Sequence, residues 1–285
     1  MHAIPARHQR LTGHQRLTGL SRVAFGGKGI SDIYQKAPCR LLFPDAAAGE
    51  FPLAVSLTTS GGLTGGDRVA VQVAVEPGAC GTVTTQAAEK LYRVLPEDPD
   101  IAVQAHLSVG AGGRCEWLGQ EAILFQGTRL RRRLEANVDG DGALLAVETL
   151  VLGRGAMGEA FTQGLVHDAW HIRRDGRLIW ADALHLHGDG AGQGTLPSEL
   201  PHGLGEARAL ATMLYVGRDA ARHLDLARCL APSPHGGATS FDGMLLLRWA
   251  APEPQALREQ VMAAACAMRA AVFGLAPRLP ALWTC

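Results

Sequence analysis

The first residues of this chain that could bind a ligand lie in a glycine-rich stretch, GGLTGGD, at residues 61–67. Six of its positions fit a phosphate-binding P-loop, but Asp67 stands where the loop needs a lysine. A carboxylate there would repel a phosphate, so we expect no nucleotide site. The stretch also fits a cluster of β-turns, in which the glycines adopt positive φ and Asp67 caps the loop by local hydrogen bonds.

A second glycine motif, Gly153–Gly158, has the spacing G-x-G-x-x-G of dinucleotide-binding proteins. Its third glycine would have to open a helix whose N-terminus holds the pyrophosphate. Instead Gly164 interrupts the segment after the five residues that follow the third glycine, and residues 165–172 have the pattern of a strand. We therefore expect no dinucleotide site, although Glu159 follows the motif as Asp67 ends the first.

Two histidines, His185 and His187, are spaced so that they share one face of a strand, with Asp189 close behind. Imidazole binds nickel, copper and zinc well, so the pair is a candidate metal site. The alternative is an exposed strand end with no ligand. His167 and His171 would pair only on a helix, and their surroundings predict a strand.

Three arginines in the segment LRRRL, namely Arg129, Arg131 and Arg133, lie on one face of a predicted strand. They form either a solvated strand face or a docking patch for an acidic partner. No Ser/His/Asp or Cys/His signature is recognisable, and paired carboxylates cannot be located from the sequence.

The elements that must position these residues are mostly strands. Turn signals recur between alternating runs such as Val69–Val75, which predicts long strands in a large, wrapped sheet system. Near the C-terminus we expect buried strands at 209–216 and 244–250, and helical structure at 218–230. A long helix should begin at Pro254 and stop near Gly274.

Composition narrows the classes of function. Lys plus Arg equals Asp plus Glu, with 27 of each, so neither nucleic acid nor an anionic membrane is expected as the main partner. The cysteines are widely spaced, as in reduced cytosolic proteins, and no apolar run could span a membrane. We expect a cytoplasmic protein with a disordered tail at residues 1–19, which carries a doubled HQRLTG, and one domain at residues 20–285.

Five segments in order resemble the UreD/UreH family of urease accessory proteins. They are GGLTGGD, PGACGTVTTQAAEKLYR (77–93), EWLGQEAILFQGTRL (116–130), LGRGAMGE (152–159) and RRDGRLIWADAL (173–184). The C-terminal segment 243–274 resembles the closing strand and helix of that family. One departure is Glu89, where the family usually has Thr or Ser.

The resemblance implies a mainly β, β-helix-like wrapped fold with a few C-terminal α-helices, and no enzymatic activity. It implies binding to UreF, which recruits the GTPase UreG, and docking of that complex on apo-urease for GTP-dependent nickel insertion. It also implies an internal conduit for transient nickel and no tightly bound cofactor. Asp67 and Glu159 are the best candidates to line the conduit, with Glu50 and Glu121 as weaker ones.

A competing hypothesis is a carboxylate-based hydrolase on a β-solenoid-like fold. It predicts a cleft with converging acids of perturbed pKa, whereas a scaffold predicts an internal passage and an apolar docking surface.

Overall fold

The structure is a computed structural model that describes residues 16–189 and 204–284. Its strands are, in chain order, β1 (Thr18–Gly26), β2 (Gly29–Lys36), β3 (Cys39–Leu42), β4 (Leu53–Thr58), β5 (Arg68–Val75), β6 (Cys80–Thr85), β7 (Glu89–Leu91), β8 (Ile101–Val109), β9 (Arg114–Leu124), β10 (Arg129–Val138), β11 (Ala143–Arg154), β12 (Glu159–Ala160), β13 (Gln163–Arg174), β14 (Arg177–Asp189), β15 (Ala209–Val216), β16 (Gly236–Phe241) and β17 (Met244–Ala251). The α-helices are α1 (Leu224–Leu230) and α2 (Pro254–Phe273), and short 3₁₀ turns lie at Gly155–Met157, Ala220–His223 and Ala281–Trp283.

The strands form two sheets around which the chain winds. Sheet A has the order β14-β13-β10-β8-β5-β1-β2, and sheet B has the order β16-β17-β15-β11-β9-β6-β4-β3, with β12 and β7 attached at β11 and β9. From β4 to β13 the chain alternates repeatedly between the two sheets. Neighbours such as β8 and β10 in sheet A, or β9 and β11 in sheet B, are therefore parallel. This winding confirms the mainly β, β-helix-like fold.

Alternation along the strands places one core between the sheets. On β10, Leu130 and Leu134 are fully buried, while Arg131 and Arg133 face solvent. The outer face of sheet B is covered by α2, whose buried residues include Leu257, Val261 and Met268. Burial of both faces explains why β11 is apolar through most of its length.

The C-terminal predictions are confirmed. The strands occur at Ala209–Val216 and Met244–Ala251, and α2 begins at Pro254 and ends before Gly274, which adopts the left-handed conformation of a C-cap. The helical segment predicted at 218–230 consists of a 3₁₀ turn followed by α1. Among the described residues no helix is both long and apolar enough to cross a membrane.

Residues 1–15 of the predicted tail lie outside the described residues. The last part of that prediction needs correction, because β1 already begins at Thr18 and pairs with β5 from Arg68 onward.

Candidate functional site

A polar layer crosses the core between the two sheets. On each of three strands, an ionisable residue stands at an inward position between two apolar ones: Asp168 on β13, Arg132 on β10 and Glu148 on β11. The apolar neighbours on one side belong to a cluster with Leu134, Trp170 and Ala146. Those on the other side belong to a cluster with Leu130, Val166 and Leu150.

Arg132 holds this layer together. Its Nε and Nη2 donate to the two oxygens of Asp168, each at 2.8 Å, in a bidentate pair between adjacent parallel strands. Its Nε also lies 3.3 Å from Oε2 of Glu148 on the opposite sheet. Oε1 of Glu148 accepts a hydrogen bond from the indole N–H of Trp117 at 3.2 Å. The layer therefore links sheet A to sheet B by charge.

The carboxylate of Glu148 is incompletely satisfied. Glu148 is 7% exposed, and its Oε2 accepts no hydrogen bond from the residues that the structure describes. Burial raises the pKa of Glu148 well above its usual range; the charge of Arg132 opposes that shift, and Asp168 adds to it. With both carboxylates ionised, one guanidinium faces two negative charges, which leaves a net negative charge in the core.

Two cavities border this layer, and its residues separate them at a junction. The first, of about 350 Å³, lies between β5, β8 and β10 of sheet A and β4, β6, β9 and β11 of sheet B. The second, of about 410 Å³, lies between β13 and β14 on one side and β11, β15, β16 and β17 on the other. Both cavities have Arg132 and Glu148 in their walls. In each sheet, β10 or β11 stands between the strands that border the first cavity and those that border the second. The two cavities are therefore neighbours across the strands.

The GGLTGGD loop borders the first cavity. Gly61 and Gly62 are in its wall. Gly62 has φ +138°, and a Cβ there would come within 2.7 Å of the carbonyl oxygen of Lys90, so a side chain cannot be accommodated. Asp67 is 2% exposed, and its two oxygens accept the backbone N–H groups of Leu17 at 2.8 Å and Thr64 at 2.9 Å. Asp67 thus fastens the loop to β1.

The other candidate conduit residues are also engaged in contacts. Glu121 is in the wall of the first cavity and forms an ion pair with Arg258 of α2. Glu50 borders a third cavity of about 770 Å³ and accepts a hydrogen bond from Arg269 at 2.7 Å. Asp67 and Glu159 are not among the residues that line these three cavities. Whether any of the four lines a metal route stays a prediction.

The second glycine motif forms no nucleotide cradle. Gly155–Met157 is a single 3₁₀ turn, and β13 follows soon after, as the sequence indicated. Glu159 forms an ion pair with Arg154 and accepts the backbone N–H of Gln126 at 2.9 Å. The hydrogen bond from Arg154 lowers the pKa of Glu159.

The histidines lie on the outer face of sheet A. His185 and His187 are exposed on β14, and the ring of His185 lies 5.8 Å from that of His167 across the β13–β14 pair. His171 instead approaches Glu135, at 3.6 Å. No group of three or more His, Cys, Asp or Glu residues in the described part of the chain is arranged to hold a metal ion. The metal role of His185 and His187 remains a prediction.

Two of the three outward arginines share one carboxylate of the same chain as their hydrogen-bond acceptor. Arg129 and Arg131 each donate from Nε to Asp100 at 2.7 Å, whereas Arg133 lies 3.3 Å from Glu135. They do share the outward face, as predicted. Carboxylates of the same chain balance much of the charge of these arginines, so the predicted docking patch is less positive than the sequence suggested. Its role as an interface is still a prediction.

Sequence reasoning missed the polar layer itself. The signal was present in part: Glu148 interrupts the apolar run LLAVETLVL, and Arg132 has the parity of Leu130 and Leu134 rather than of the outward arginines. Glu89, noted as a departure, lines the first cavity, where it accepts hydrogen bonds from Thr58. Burial raises the pKa of Glu89.

These observations define a β-helical protein whose two sheets enclose a charged layer between two apolar clusters. The family model for the UreD urease accessory protein matches residues 12–284. A urease accessory protein UreD 3 of Methylorubrum extorquens (strain PA1) is 43% identical over 234 residues, which cover 81% of this chain and 76% of the relative. A UreD of Rhizobium rhizogenes is 38% identical over 267 residues, which cover 94% of each chain.

The chain therefore belongs to the UreD family of urease accessory proteins. This confirms the resemblance found in the sequence. The relatives are named as urease accessory proteins.

Proposed function

We propose that this protein is a cytoplasmic, non-catalytic scaffold of urease maturation. It binds UreF, which recruits the GTPase UreG, and the complex docks on apo-urease and supports GTP-dependent nickel insertion. Membership of the UreD family supports the role in urease maturation. The partners and the nickel cargo follow from the resemblance of the sequence to that family.

The observation that carries the nickel route is that two cavities border the same charged layer in the core. Arg132 and Glu148 are in the walls of both cavities. A dry apolar core would exclude a divalent cation, because removing an ion from water without compensating ligands is costly. Carboxylate oxygens such as those of Glu148 and Glu89 offset that cost, and they bind nickel more loosely than thiolate or imidazole does. Loose binding suits a protein that must release its cargo.

Filling the first cavity tests the route without changing charge. Val103 on β8 is in the wall of this cavity, so Val103→Trp places an indole in the space. The matched control is Ser108→Trp, which puts the same side chain at an exposed position of the same strand. Each variant is co-expressed with UreF, UreG and urease, and the measurements are co-purification of the complex, nickel content of urease and urease activity.

We expect Val103→Trp to keep the complex and to lose most nickel loading, and Ser108→Trp to behave as the wild type. Full nickel loading of urease with the cavity filled would refute the internal route. Failure of the wild-type chain to co-purify with UreF and UreG would refute the scaffold function.

The hydrolase hypothesis has one observation in its favour, namely a buried acid of raised pKa, Glu148, near a second carboxylate, Asp168. Both oxygens of Asp168 already accept hydrogen bonds from Arg132, so this carboxylate serves as a counter-ion rather than a free base. Hydrolysis of a panel of esters and glycosides by the purified complex, abolished by Glu148→Gln, would favour the enzyme over the scaffold.

A further inference from the structure

Arg132 occupies a position at odds with a route for cations. It is 7% exposed, stands in the wall of both cavities and carries a permanent positive charge. A bare guanidinium there would repel a metal ion from the junction. Its presence therefore needs an explanation beyond the passage itself, and the explanation below rests on the proposed function.

The contacts of Arg132 are unequal. Asp168 binds the guanidinium through two hydrogen bonds of 2.8 Å, which neutralise it and fix its plane. Glu148 touches the same group at 3.3 Å without a hydrogen bond to its Oε2. The Arg132–Asp168 pair is thus the firm contact, and the contact with Glu148 is the one that can be exchanged.

Glu148 is the carboxylate that a cation in either cavity can reach. Its Oε1 is held by Trp117, which fixes the direction of the side chain, and its Oε2 is buried and without a hydrogen bond from the described residues. Asp168 borders the second cavity only, and both its oxygens are taken. An incoming cation at Oε2 replaces the weak contact with Arg132 and leaves the Arg132–Asp168 pair in place.

We propose that Arg132 is a built-in competitor for Glu148 that keeps the junction between the cavities a low-affinity site for divalent cations. The guanidinium stays paired with Asp168 beside Oε2, so its positive charge offsets the charge of the carboxylate when the cation is absent and repels the cation when it is present. Arg132 thereby sets how long a divalent cation stays at the junction, and it acts through Glu148 rather than by touching the cation.

The test replaces the competitor and its counter-ion together, with Arg132→Met/Asp168→Leu. Removing one positive and one negative charge leaves the net charge of the layer unchanged, and replacing a buried ion pair by apolar side chains is often neutral for stability. The matched control is Arg173→Met, which removes an exposed arginine of β13. Each chain is purified as the complex with UreF and UreG and titrated with nickel chloride.

We expect the double variant to hold nickel with a dissociation constant about tenfold lower than that of the wild type, since loss of a close charged competitor is worth at least that factor. Delivery of nickel to urease should slow accordingly. Addition of Glu148→Gln to the double variant should abolish the extra retention. A role of Arg132 in stability alone would not alter nickel retention in a complex that still assembles.

Arg132→Lys provides a second measurement if the double variant fails to assemble. Lysine keeps the charge but not the bidentate geometry, so it leaves Asp168 for Glu148 more readily and should weaken nickel binding at the junction. Unchanged nickel affinity in whichever variant assembles would overturn the proposal. The Val103→Trp variant is run in parallel: if it delivers nickel normally, the internal route itself is wrong, whereas a blocked Val103→Trp with unchanged affinity in the arginine variants refutes only the competitor.

Discussion

Replacing Asp67 by asparagine should destabilise the protein, although asparagine is a good turn residue. The carboxylate is buried, and each of its oxygens accepts a backbone N–H, from Leu17 at 2.8 Å and from Thr64 at 2.9 Å. Asparagine offers one acceptor oxygen and one amide group that can only donate. Either Leu17 or Thr64 then loses its acceptor and faces another donor.

The size of the effect follows from these contacts. A hydrogen bond to a charged group contributes about 1.5–3 kcal/mol, and an orphaned buried donor costs a similar amount. Asp67→Asn should therefore lower the free energy of unfolding by about 2–3 kcal/mol, and Asp67→Ala, which loses both bonds, by about 3–5 kcal/mol. The loss begins at the loop that borders the first cavity and at its attachment to β1.

Pulse proteolysis in a urea series measures this on the tagged chain at low concentration. With an m value of about 3 kcal/mol per molar urea, the midpoint of Asp67→Asn should fall by about 0.7–1 M. The matched control is Asp141→Asn: Asp141 is exposed, and among the described residues only the backbone N–H of Gly112 donates to it, to Oδ1 at 2.7 Å, so an amide oxygen can replace the carboxylate oxygen. Its midpoint should stay within about 0.2 M of the wild type.

An unchanged midpoint for Asp67→Asn would refute this reasoning. If such a stable variant also failed to support urease activation, the role of Asp67 as a conduit residue would gain its first direct support. A destabilised variant with lost activation would instead be explained by the loop.

Further predictions concern buried charges elsewhere in the fold. Arg269→Met should lower the free energy of unfolding by about 3–5 kcal/mol, because it strips the fully buried Glu116 of its two hydrogen bonds from that arginine. The double variant Arg269→Met/Glu116→Leu should recover most of the loss in the same urea assay, and a single variant as stable as the wild type would contradict the argument. For Glu148, burial raises the pKa in the folded state, so its contribution to stability is greatest below the unfolded value of 4.5 and declines as pH rises through the folded value. Glu148→Gln should remove this decline. The difference between the urea midpoints at about pH 5 and about pH 8 should then be smaller in the variant than in the wild type. An equal difference in the two proteins would show that Glu148 does not titrate as inferred.

The sequence by itself determined the features that rest on local patterns. The alternation of apolar and polar residues placed Arg131 and Arg133 on the outward face of β10. Pro254 and Gly274 marked the two ends of α2. The order of short motifs was enough to identify the family, because that information is carried along the chain and does not depend on contacts. Local patterns also led us to expect no nucleotide site at either glycine motif, since a missing lysine or a missing helix can be recognised within a few residues.

Only the tertiary structure decided which polar residues meet. Arg132 and Asp168 are 36 positions apart, and they pair because β10 and β13 become neighbours after the chain has crossed to the other sheet and back. Glu148 joins them from the opposite sheet, at a point fixed by how the two sheets pack. One partner of Asp67, Leu17, lies 50 positions away, directly before the strand β1 that pairs with β5. Strand register and sheet packing are set by the burial of the whole core, so no local window of sequence contains them.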